Sequence, residues 1–147
     1  MLYIASDHAG FRLKEELKNY LDELGIKYQD LGADKFNPKD DYPEFAFKTA
    51  EKVAKNPKDK GIVICGTGQG IVLAANKVKG IRAVLAWDEY TAEMAKAHLN
   101  ANILALGGRV TPVNTAKEIV SKWLATGFSG EERHKRRLQK IDKFNTD

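Results

Sequence analysis

The stretch Gly61–Lys79, GIVICGTGQGIVLAANKVK, constrains the fold more than any other part of the chain. Its apolar run Ile62-Val63-Ile64 reads as a buried parallel strand that ends at Cys65. Gly66, Gly68 and Gly70 then alternate with Thr67 and Gln69, and the Ala-rich run from about Ile71 to Val78 predicts a helix. A strand, a Gly-rich turn and a helix start present free backbone N–H groups to an anion. The pattern G-x-G-x-G is not the dinucleotide fingerprint, because Ile71 occupies the position where a third spaced glycine would help. It is not a P-loop either, since no Lys-Ser or Lys-Thr follows. A tight turn is the plain reading; three glycines opening a helix favour close backbone approach to a ligand.

The flanking sequence repeats the same grammar. Leu2–Ser6, Ile26–Leu31, Ile81–Trp87 and Asn102–Leu106 predict four further strands. Leu13, Leu17, Tyr20, Leu21 and Leu24 fall at helical spacing, and Gly25 ends that helix. Further helices are predicted over Glu44–Lys55, Glu89–Ala97 (capped by Asp88), Thr111 or Pro112 to Ala125, and Glu131–Lys143. Strand and helix alternate five times, which argues an α/β fold with a five-stranded parallel sheet covered on both faces. The chain of 147 residues is expected to be one domain, 1–147. Ligands in such folds bind beyond the carboxyl ends of the strands.

Composition narrows the function classes. No stretch approaches the roughly 18 apolar residues of a membrane span, and MLYIASD runs straight into a strand without a basic flank. A single cysteine excludes an internal disulfide and has no partner for a zinc motif. These features predict a cytoplasmic protein that holds no metal and has no membrane partner. The net charge of +4 is mild, and only Arg133–Lys140 concentrates it. Acidic small molecules are therefore as plausible as nucleic acid, and a nucleic-acid role would rest on the last helix alone.

Cys65 in isolation is a small core hydrophobe. At a strand end beside a helix N-terminus, a thiol is placed to act as nucleophile or general base. Asp7-His8 ends the first strand, where Asp7 is either a helix cap or a functional carboxylate. His98 lies in a polar stretch after a helix, and Arg109 follows Gly107-Gly108 at the fifth strand's end. Arg133 and Arg137 are one helical turn apart, which suits a doubly charged phosphate as well as a solvated face. Together these groups fit proton abstraction next to a carbonyl on a phosphorylated substrate.

Six segments carry a resemblance. They are Ala5–Phe11 (ASDHAGF), Asp41-Tyr42-Pro43, Gly61–Gly68 (GIVICGTG), Ala74–Lys77 (AANK), Gly80–Ala83 (GIRA) and Arg133-His134. In this order, from Tyr3 to about Ile141, the chain closely resembles ribose-5-phosphate isomerase, type B. The resemblance implies a Rossmann-like three-layer α/β/α fold with an extra C-terminal helix. It implies interconversion of ribose 5-phosphate and ribulose 5-phosphate without metal or cofactor. It further implies a homodimer, or a dimer of dimers, with the site at the subunit interface. By resemblance Cys65 is the base that moves a proton between C1 and C2, with Thr67 and the Gly66, Gly68 and Gly70 backbone stabilising the enediolate. His98 opens the furanose ring, Asp7 contacts the sugar hydroxyls and shuttles their protons, and Tyr42 contacts the sugar. His8, Arg109, Arg133 and Arg137 match the phosphate-binding set. The family commonly has Asn-Asp or Asn-Gly after the ring-opening histidine, whereas here Leu99-Asn100 follows. Asn100 is the candidate to take over that contact. The departure leaves two alternatives beside the pentose phosphate: a hexose phosphate (allose or galactose 6-phosphate), or a non-catalytic sugar-phosphate-binding subunit.

Overall fold

The computed structural model describes residues 1–144. Strands β1 (Leu2–Ser6), β2 (Tyr28–Asp30), β3 (Lys60–Cys65), β4 (Ala83–Leu85) and β5 (Ile103–Gly107) form one parallel sheet in the order β2-β1-β3-β5-β4. Ile4 pairs with Ile62 and Ile62 with Leu104, so the three central strands share a register. The described residues form six α-helices, of which the first five cover the sheet: α1 (Phe11–Glu23), α2 (Tyr42–Ala54), α3 (Gln69–Ala75), α4 (Glu89–Ala97), α5 (Val113–Ala125) and α6 (Glu132–Lys143).

The central strands are apolar at successive residues because both faces are covered. Ile4, Ile62, Ile64, Leu104 and Leu106 pack with Leu17 and Leu21 of α1, Ala92 of α4, and Ile119 and Trp123 of α5. Their neighbours in sequence point the other way. Ala5, Val63, Cys65, Ile103 and Ala105 pack with Ala46 and Ala50 of α2 and with Ile71 and Ala75 of α3. Each fully buried Leu or Ile contributes about 1.5–3 kcal/mol of transfer free energy. The last helix belongs to neither layer. It buries only His134 and Leu138, and Asp142 ties it to Arg82 at 2.7 Å.

Boundaries differ from the sequence expectation where pairing or capping decides them. The ladder takes only Tyr28–Asp30 of the predicted Ile26–Leu31, and only Ala83–Leu85 of Ile81–Trp87. Both are edge strands with one partner each. Helix α2 starts at Tyr42, with Pro43 in its first turn where a missing N–H costs nothing. Helix α3 starts at Gln69 and stops at Ala75, before the predicted Val78.

The chain turns in opposite directions from β1 and β3, which places a topological switch between them. The loops after β1 and β5 close over the end of β3 at backbone contact. A side chain on Gly108 would stand 2.5 Å from the carbonyl oxygen of Ala9, so only glycine permits that approach.

Candidate active site

The switch point gathers the carboxyl-end residues. Cys65 ends β3 and is 4% exposed. Gly68 holds φ +80°, a left-handed turn that carries its N–H back onto Cys65 Sγ at 3.2 Å. Thr67 is exposed at the tip of the loop, and its hydroxyl accepts from the Gln69 N–H at 3.4 Å. The first helical bond of α3 runs from Val72 N–H to the Gly68 carbonyl at 3.1 Å, so the N–H groups of Gly70 and Ile71 have no intrahelical acceptor. The Tyr42 ring lies over Gly70, and a Cβ at Gly70 would be 2.5 Å from it. Arg109 lies beside Gly66, with Nη1 3.4 Å from where a Cβ would stand, and its N–H donates to the Gly66 carbonyl at 2.9 Å.

Asp7 and His8 reach the same corner from β1. Asp7 is 4% exposed, and its Oδ1 accepts from the Gly10 N–H at 3.1 Å. It therefore caps the short 3-10 turn His8–Gly10 that leads into α1, as the capping alternative expects. Burial pushes its carboxyl above the ordinary carboxylate value, and the Gly10 N–H and the neighbouring His8 only partly offset this. His8 is held by a residue that sequence reasoning missed. A single oxygen of Asp40, Oδ1, accepts from the His8 backbone N–H at 2.9 Å and lies 2.7 Å from Nδ1. Asp40 directly precedes Asp41-Tyr42-Pro43, and only proximity to that segment could have flagged it. Asp7, His8 and Asp40 place one ligand atom each within 4.8 Å of one another, a spacing a cation could span. The His8–Asp40 hydrogen bond already uses two of those atoms, and the pair acts as an orienting couple.

The other predicted residues lie elsewhere in the chain. Helix α4 begins after β4 and runs back toward the amino ends of the strands, so its C-cap residue His98 is far from Cys65 along the sheet direction. Asn100 lines a cleft with Lys60 and Asn102, at the amino ends of β3 and β5. His98 stacks on His134 with ring centroids 4.1 Å apart. His134, also missed as a functional candidate, is 3% exposed, and its Nδ1 lies 2.7 Å from the Ser129 hydroxyl. Burial, with His98 and Arg133 nearby, pushes its imidazole below the usual value. Arg133 and Arg137 are exposed on either side of it on α6, and Arg133 pairs with Glu131 at 3.0 Å. Leu99 lines a groove of mixed polarity with Leu138, Ile141, Lys77 and Arg82. One chain thus carries two groups of predicted site residues, one around Cys65 and one around His98 and His134. Helix α4 separates them.

A family model described as Ribose/Galactose Isomerase matches residues 2–141. The ribose-5-phosphate isomerase B of Mycobacterium tuberculosis is 38% identical over 143 residues, spanning 97% of this chain and 88% of that one. The crystal structure of ribose-5-phosphate isomerase B from Mycoplasma genitalium with bound ribulose-5-phosphate superposes with a TM-score of 0.93 at 45% identity, covering 97% of this chain and 94% of that one. A ribose-5-phosphate isomerase B structure from Clostridium thermocellum gives 0.91 at 47% identity, over 96% and 94% of the two chains. This chain belongs to the ribose/galactose isomerase family.

Proposed function

We infer that this chain is an aldose–ketose isomerase that interconverts ribose 5-phosphate and ribulose 5-phosphate. One observation carries the substrate: the match at a TM-score of 0.93 to a ribose-5-phosphate isomerase B with ribulose-5-phosphate bound. The Cys65 corner supplies the chemistry. With the sugar open, Cys65 Sγ takes the proton from C2, the C–H electron pair forms the C1–C2 double bond, and negative charge moves onto O1. The same sulfur returns the proton to C1, while the O2 proton transfers to O1 and the C2 carbonyl forms. Asp7, buried and with a raised carboxyl, is suited to pass that hydroxyl proton.

The enediolate oxygen is held by the loop. The N–H groups at Gly70 and Ile71, free of intrahelical acceptors, and the exposed Thr67 hydroxyl are its donors, and an oxyanion donor is worth about 3 kcal/mol in comparable sites. Gly66 and Gly68 bring the backbone close, and Tyr42 over Gly70 closes the sugar side. His8 and Arg109 are the phosphate donors of this end of the sheet. His98, stacked on a His134 that Ser129 holds, is the ring-opening group, and Asn100, Arg133 and Arg137 complete the binding set. Since one chain keeps the two groups apart, we propose that the working site joins Cys65 of one subunit to His98 of another in a homodimer. The phosphate dianion supplies remote binding energy for positioning. A cytoplasmic location, independence from metal and the absence of a nucleic-acid partner belong to the same reading; among the described residues no helix is long and apolar enough to cross a membrane.

The test is turnover of ribose 5-phosphate with EDTA present, beside allose 6-phosphate and galactose 6-phosphate, for the wild type and Cys65→Ala. The expected result is preference for the pentose, no effect of EDTA, and loss of turnover in Cys65→Ala with ribulose 5-phosphate binding retained. Turnover by Cys65→Ala would remove Cys65 as the base. Preference for a hexose phosphate would keep the mechanism and move the substrate.

A further inference from the structure

On the far side of the sheet from Cys65, a cleft of about 580 Å³ opens between the end of α2, the start of β3 and the end of α4. Its wall includes Lys58, Lys60, Lys96 and Arg82. Lys96 is 6% exposed, and its Nζ stands 5.3 Å from the centre of the Trp123 ring. Its charged neighbour is another cation. Lys60 lines the same cleft, and burial together with the Lys60 charge pushes Lys96 down to about 8.

Nothing in the cleft neutralises this pair. The carboxylate of Asp59 is taken by the N-terminal ammonium at 2.7 Å and by the Tyr3 hydroxyl at 3.4 Å. Arg82 is held by Asp142, and the Asn102 amide is held between the Arg82 N–H and the Gly80 carbonyl. Among the described residues no carboxylate pairs with Lys60 or Lys96. The same fold shows what a structural buried lysine looks like. Lys14, 0% exposed, meets Asp30 at 2.8 Å and the Ala33 carbonyl at 2.6 Å. Buried ammonium groups are kept in folds when paired. Lys96, buried, and Lys60, half-buried, line one open cleft without a counter-charge, and they call for an anion supplied from outside.

We propose that this cleft, which meets the isomerase binding set only at Asn100, holds a second anion site, taking inorganic phosphate or a small phosphate monoester between the Lys60 and Lys96 ammonium groups. The volume is that of a small-ligand pocket and exceeds what one phosphate ion fills. Lys96, backed by an aromatic face, is the fixed member, and Lys60 at the first residue of β3 is the adjustable one.

Backbone amide NMR of the full chain tests it, with inorganic phosphate and glycerol 3-phosphate as separate probes. The expected result is two sets of shifts that saturate independently, on the order of millimolar. One set, at Gly66–Gly70, reports the isomerase centre, and the other, at Lys58 and Asn102, reports the cleft. Tighter saturation of the second set by the ester identifies a phosphate monoester as its ligand; equal saturation identifies the free ion. In a Lys60→Met/Lys96→Met variant the second set disappears, while the first set and ribose 5-phosphate turnover persist. Absence of the Lys58 and Asn102 shifts in the wild type overturns the proposal without recourse to the variant, as does their survival in the double variant.

Discussion

Asp40 spends one oxygen on two groups of His8, the backbone N–H at 2.9 Å and Nδ1 at 2.7 Å. That fixes both the turn and the ring, and it leaves Nε2 as the free ring nitrogen for the proposed phosphate contact. Asp40→Ala should therefore raise KM for ribose 5-phosphate about tenfold, near 1.4 kcal/mol, with kcat little changed. Asp40→Asn keeps an oxygen acceptor and should recover most of the loss. A steady-state comparison of the two variants checks this, and equal KM values for wild type and Asp40→Ala would reduce Asp40 to a loop residue. Gly68 is constrained differently. Its φ is +80°, and a Cβ would stand 2.5 Å from Leu85 Cδ1 and 3.0 Å from the Leu106 carbonyl oxygen. Gly68→Ala should cost about 2 kcal/mol in a urea titration. It should also depress turnover, because the Gly68 N–H that meets Cys65 Sγ moves with the loop.

Between α1 and β2 the corner is braced by an ionic strut. Lys14 and Lys18 both donate to Asp30, at 2.8 Å each, and the Gly32 N–H adds a third donor at 2.9 Å. Burial opposes ionisation of Asp30, but these donors outweigh it and hold the carboxyl below its ordinary 3.8. A carboxyl lowered by folding adds stability that is present above its unfolded value and is lost as pH falls through the lower folded value. Asp7 is shifted the other way, so its burial favours the fold as the group protonates. Asp30→Asn should cost about 3 kcal/mol at neutral pH, since it leaves the buried Lys14 ammonium short of its counter-charge. Urea midpoints measured from neutral pH down to about pH 2 should then fall less steeply in the variant than in the wild type. Elements of this kind divide by how local their causes are. Helix α4 was legible to the residue because Asp88 caps it four positions from Ala92, and Gly25 ends α1 with a left-handed φ of +69° as its position predicts. The edge strands came out shorter than their apolar runs, because apolar sequence marks burial while the ladder needs a partner. The Cys65 to Gly70 corner was legible as a strand end, tight loop and helix start because the three are contiguous. Asp40 was not, since it meets His8 across 32 positions, and His134 matters only through its contact with His98.

The whole molecule presents half of a proposed catalytic set at each end of its sheet. Cys65, Asp7, His8 and Tyr42 stand at the carboxyl ends, whereas His98 follows a helix that has run back to the amino ends. The proposed site therefore uses a second subunit to bring a sugar ring opened at His98 to Cys65. Large apolar side chains remain open around the carboxyl ends, with Leu73, Trp87, Tyr90 and Val110 each about two-thirds exposed. A second copy covering that face would bury them, and a two-fold pairing would form two equivalent composite sites. Cys65→Ala and His98→Asn should each be nearly inactive on ribose 5-phosphate alone, one without the base and the other without the ring-opening group. If the two proteins are unfolded together and refolded as a mixture, half of the dimers are hybrids under random pairing. In a hybrid both lesions fall in one composite site and the other site is intact, so about a quarter of the wild-type activity per subunit should return. Complementation would require Cys65 and His98 to work from different chains. Recovery of no activity, from a mixture whose hybrid content is verified by native mass spectrometry, would place both residues in one chain's site and require α4 to rearrange on substrate binding.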